Sequence, residues 1–148
     1  MKAADFFTTE GKKLIEKAVA DAELNTSGEI RVHVETEFTG NVLDRASAVF
    51  ASLNMQKTQL RNGVLIYLAI KNRQFAIIGD AGINKVVHDD FWNNIKSVME
   101  GYFKNGDFAG GLAIGVKLAG EALKKNFPHK KDDVNELSDE ISFDQSEQ

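Results

Sequence analysis

The stretch Asn62-Gly63-Val64-Leu65-Ile66-Tyr67-Leu68-Ala69-Ile70-Lys71-Asn72-Arg73-Gln74-Phe75-Ala76-Ile77-Ile78-Gly79 decides the fold. Gly63 to Ile70 is apolar almost throughout, the pattern of a central strand covered on both faces. Lys71-Asn72 reads as a tight turn, because Asn tolerates a positive φ, and Arg73 to Gly79 as the strand that returns antiparallel. Upstream, Ile30, Val32 and Val34 alternate with Arg31, His33 and Glu35, which predicts a strand over Glu29 to Glu35 with one face less deeply buried. A helical pattern between the two, Val42, Ala46, Val49, Phe50 and Leu53, makes their connection a crossover and their pairing parallel. The sheet is therefore mixed.

Three further helices flank it. Thr8 or Thr9 caps the first, whose buried face is Leu14, Ile15, Ala18, Val19 and Ala22. The second runs from about Asp89 to Phe103 with Phe91, Ile95, Val98, Met99 and Tyr102 inward, and leaves Trp92 partly exposed beside a loop spanning Asp80 to His88. The last is capped by Asp107 and reaches about Lys125; its glycines 110, 111, 115 and 120 cost helix propensity unless the backbone packs closely. The expected architecture is a single α/β domain over residues 1–128, with a mixed sheet of about three to four strands sandwiched between helices. Residues 129–148 follow as an acidic, disordered tail.

Composition narrows the function. Apolar and charged fractions of 43% and 27% are those of an ordinary globular protein. No apolar run has the length of a membrane span, and no signal peptide opens the chain, so the expectation is a soluble, cytoplasmic protein. The absence of cysteine excludes disulfides, thiolate metal sites and cysteine nucleophiles. From Lys130 onward two lysines stand against seven acids, a net of −5 within a total of −4, so the body is near +1. A neutral body without a basic stripe argues against nucleic acid as a partner. The tail has a rival reading as a peptide that docks a protein partner.

The candidate site follows from the hairpin. The end of the third strand at Gly79-Asp80 lies beside the start of the second at Arg61-Asn62-Gly63, and a parallel first strand starts there too. Glu29, Asn62, Asp80, Asp89 and Asp90 are thus expected on one rim, and hard cations such as Ca²⁺ and Mg²⁺ take such oxygens. The simpler reading of Asp89-Asp90 is capping of a helix start, and that of Asp80 a turn former. There is no EF-hand spacing, no phosphate loop and no G-x-S-x-G elbow. His88-Asp89 lacks the further histidines of a phosphohydrolase centre, and Arg61 and Arg73 are candidate anion contacts at the ends of the sheet.

Several stretches together resemble the TPM-domain family: Thr26-Ser27-Gly28-Glu29-Ile30, Asn62-Gly63-Val64-Leu65-Ile66, Arg73, Gly79-x-x-Gly82-Ile83 with Asp89 beyond it, Tyr102-Phe103, Gly106-Asp107 and Gly110-Gly111-Leu112. The resemblance covers about Phe6 to Phe127. It implies a mixed sheet between helices and a divalent-cation site in the loops at one end. Asp89 and Asn62 carry over onto the family's pattern, whereas Arg61 stands where the family has an acid before the asparagine. Metal-dependent phosphatase activity is implied by the resemblance alone, and the remaining alternatives are an accessory cation-binding role and a protein-interaction role without metal.

Overall fold

The computed structural model describes residues 2–88, 90–129 and 137–144. Among these, β2 (Gly63–Ala69) is buried at every position, as its continuous apolar run requires. It pairs in parallel with β1 (Glu29–Glu35), Glu29 opposite Gly63, and antiparallel with β3 (Gln74–Gly79), Val64 opposite Gly79. The sheet is four-stranded and mixed, in the order β3-β2-β1-β4, where β4 is Ser142–Phe143. The period-two pleat sends Val64, Ile66 and Leu68 to one face and Leu65, Tyr67 and Ala69 to the other.

The first face, with Ile30, Val32 and Val34, packs against α1 (Thr9–Glu23), α4 (Asn93–Lys104) and α5 (Phe108–Leu123). The second packs against α2 (Val42–Ser52) through Ala46, Val49 and Phe50. Helices therefore cover both faces. Thr8, Asn41 and Asp107 cap α1, α2 and α5 by accepting from the free N–H groups of the first turns. The glycines of α5 sit where a neighbour comes too near for a side chain. A Cβ at Gly115 would lie 2.5 Å from Met99 Sδ, and one at Gly120 2.8 Å from Ala22 Cβ. Among the described residues no helix is long and apolar enough to cross a membrane.

Several local expectations are corrected. The segment after β3 holds a short helix, α3 (Ala81–Asn84), in place of a loop. α4 starts at Asn93, with Trp92 in its cap position, so Asp90 lies ahead of the helix and does not cap it. The reason is packing: Trp92 meets Phe91 edge-on with 4.6 Å between centroids and is itself buried, which anchors the turn before the helix. Leu14 and Tyr102, expected inward, are exposed. In the hairpin it is Arg73, not Asn72, that takes the left-handed conformation (φ 53°). The acidic segment also returns: β4 (Ser142–Phe143) pairs in parallel with β1 at His33 and Val34, and Ile141 is buried. Ser142 and Phe143 are thus laid along the sheet edge, while residues 130–136 and 145–148 of the expected disordered tail lie outside the described residues.

Candidate functional site

The start of β1, the start of β2 and the end of β3 meet at one rim. Glu29 N–H donates to Asn62 O (3.2 Å), Asp80 N–H to Gly63 O (2.9 Å), and Gly82 N–H to Arg61 O (2.9 Å). Trp92 brings the following segment back, because a Cβ on Gly79 would stand 3.3 Å from its ring. Glu29, Asn62 and Asp80 are therefore neighbours along the backbone as expected, while the exposed Asp90 lies two residues before Trp92, which meets Gly79. Asp89 lies outside the described residues.

Side chains divide the rim into two parts. Asp80 is buried and holds Arg61 in a forked ion pair, Nε to Oδ2 2.7 Å and Nη2 to Oδ1 2.8 Å, while Oδ1 also accepts from Ala81 N–H. Hydrogen bonding to Asp80 raises the pKa of Arg61 further. Arg61 reaches this position from a left-handed backbone (φ 52°). Its guanidinium thus supplies, within the chain, a positive charge next to the carboxylate expected to bind a cation. Beside the pair, Asn62 is almost wholly buried; its Nδ2 donates to Ser27 O (3.2 Å), but its Oδ1 has no hydrogen-bond partner among the described residues. A buried acceptor without a donor is costly, and a hard cation is one group that satisfies it.

Glu29 belongs to the other part. Its carboxyl shares a hydrogen bond with Glu23, at the end of α1, and Asp139 of the returning segment does the same. Burial first, then these two neighbours, push the Glu23 carboxyl up to about 11, so at neutral pH it keeps its proton. A cavity of about 380 Å³ lined by Glu23, Ser27, Gly28, Glu29, His129 and Asp139 opens here. Among the described residues, no three His, Asp or Glu side chains are grouped so as to hold a metal ion. The orphaned Asn62 oxygen fits a cation; the committed Asp80 does not unless Arg61 swings away.

Sequence reading missed a second polar centre on the α2 face of the sheet. Glu35 is buried and accepts from Arg45 Nε (2.8 Å), from Arg45 Nη2 and from Tyr67 Oη (2.5 Å), with His33 Nε2 at 3.4 Å. Burial alone would raise Glu35, but hydrogen bonds from Arg45, His33 and Tyr67 outweigh it and hold the carboxyl well below the usual range. His33 Nδ1 lies 2.6 Å from Ser142 Oγ, which ties this centre to β4. The alternating charges of β1 were the available signal, but alternation reads as exposure, and His33 and Glu35 are instead buried in each other's company.

With this geometry in view, the class is settled: the chain belongs to the TPM-domain family, whose model matches residues 1–122. It is similar to the solution structure of BA42 protein from the psychrophilic bacterium Bizionia argentinensis, at 50% identity and TM-score 0.90, over 97% of this chain and 99% of that one. More distant likenesses concern the fold alone. They are the N-terminal domain of a protein from P. gingivalis (18% identity, TM-score 0.69, 86% and 83% of the two chains) and that of cg2496 protein from Corynebacterium glutamicum (13%, 0.62, 95% and 82%). No curated protein matches the chain.

Proposed function

We propose that this TPM domain binds a divalent cation, Ca²⁺ or Mg²⁺, at the strand-start rim and acts as an accessory or regulatory module. The observation that supports the reading is the buried Oδ1 of Asn62, without a hydrogen-bond partner among the described residues, at the rim to which Asp80 also belongs. In this reading Asn62 and Asp90 supply oxygens directly, and Asp80 joins them when Arg61 withdraws. The Arg61–Asp80 pair makes the site conditional, since a bound cation and the guanidinium compete for one carboxylate.

A ligand that binds only the folded state raises its melting temperature. Ca²⁺ or Mg²⁺ should therefore stabilise the intact chain in a saturable way, and Asn62→Ala combined with Asp90→Asn should abolish the increment. An equal increment in that variant, or none in the parent chain, rules out the rim as the site.

A further inference from the structure

At the opposite end of the sheet from the rim, the hairpin between β2 and β3 faces the junction of α4 and α5. A cleft of about 620 Å³ opens there, lined by Leu68, Phe75, Phe103 and Phe108, with Arg73, Glu100, Lys104 and Gly106 around it. Its volume lies within the range of sites that take small organic ligands, roughly 300–1,000 Å³. The apolar wall is built, not incidental. Phe75 meets Phe103 edge-on at 5.0 Å, and Phe103 stacks on Phe108 at 5.5 Å with 19° between the planes. Phe6 braces Phe108 from behind at 5.3 Å. All three lining rings remain half-buried, so each presents apolar surface to the cleft while fixed by its neighbours.

The mouth carries charge. The ion pairs among the described residues engage Lys17, His33, Arg45 and Arg61, and leave Arg73 and Lys104 without a carboxylate partner. Arg73 is held by the turn in a left-handed backbone (φ 53°), with its N–H donating to Ile70 O, so the guanidinium starts from a fixed point at the lip. Two cations against the single Glu100 leave the mouth positive above an aromatic floor.

We infer that this cleft binds a small monocarboxylate with an apolar alkyl or aryl body, the body against Phe75, Phe103 and Phe108 and the carboxylate at Arg73 and Lys104. Arg offers a planar pair of N–H donors to a carboxylate and Lys a mobile point charge, which suits an anionic head on an apolar ligand. The inference is independent of the cation reading, since it uses the other end of the sheet.

The test is residue-resolved NMR of the intact chain with decanoate, and with decanol as its uncharged counterpart. Decanoate should give saturable shifts at Leu68, Arg73, Phe75, Phe103 and Phe108, and decanol should bind about tenfold more weakly, the worth of one charge-assisted contact. Arg73→Asn with Lys104→Gln should cost decanoate a similar factor of about ten and leave decanol unchanged. Both positions are exposed and Asn accepts the left-handed turn, so the fold is retained. Glu100→Gln should tighten decanoate alone. Equal binding of the two probes, shifts spread over other faces, or no saturation overturns the proposal.

Discussion

Arg61 and Asp80, nineteen positions apart, face each other across the start of β2 and the end of β3 in a forked pair with contacts of 2.7 and 2.8 Å. The chain thus carries its own cation where the rim is richest in oxygen. A metal ion and that guanidinium compete for one carboxylate.

Arg61→Asn should raise the affinity for Ca²⁺ about tenfold, because it frees Asp80 and removes a competing positive charge. Asn suits the left-handed backbone at this position, so the turn is kept. Isothermal titration of the parent and the variant measures the ratio; equal affinities would separate Asp80 from the site.

Gly82→Ala should destabilise the domain by about 1–3 kcal/mol. A Cβ there would stand 2.2 Å from Leu60 O and 2.7 Å from Arg61 O, and both obstacles are backbone. Denaturant unfolding reads the loss, and a neutral result would mean that the loop shifts freely around α3.

The first three strands, their mixed pairing and the helical cover were legible because each rests on a periodicity: the continuous run of Gly63 to Ala69, and the helical spacing of Ile15, Val19 and Ala22. The gathering of Glu29, Asn62 and Asp80 was legible too, since strand ends that pair must be neighbours. What those side chains do once there was not. Glu29 turns to Glu23, which Asp139 also joins, and Asp80 turns to Arg61, choices that no strand or helix period announces. β4 escaped notice for the same reason. Two residues in an acidic segment carry no strand period, and what holds them is Ile141 in the core, the Ser142–His33 contact and Lys12 over the Phe143 ring.

Glu35→Gln should cost about 2–3 kcal/mol, since it removes the charge that Arg45 and Tyr67 hydrogen-bond. The sign with pH follows from the depressed carboxyl. Its stabilisation is fully present above the ordinary value of 4.5 and is lost as pH falls through the lower folded value. Acid titration of stability should therefore be shallower below pH 4.5 in Glu35→Gln than in the parent. Parallel acid limbs would place the pH dependence elsewhere.

Docking of the segment that carries Asp139 should weaken as pH rises. The Glu23 carboxyl is raised from 4.5 to about 11, so the arrangement with its proton bound is fully favoured below the lower value and progressively lost towards the upper one. Glu29, Asp139, Asp21 and His129 line the same cavity, so a Glu23 carboxylate released there stands among other acids. The amide signals of Ser142 and Phe143, followed from pH 5 to 9, should move from docked towards released positions, over a window set by the shift. Glu23→Gln, which cannot ionise, should flatten that response. An unchanged response in the variant would assign the pH dependence to another group.

The most direct measurement is a residue-resolved NMR titration of the metal-free chain with Ca²⁺ and then Mg²⁺. A rim site gives saturable shifts at Asn62, at residues 80–82 and at Asp90, with the Asn62 side-chain amide among the largest. Shifts confined to Glu23, Glu29 and Asp139, or to the acidic segment without saturation, would contradict it.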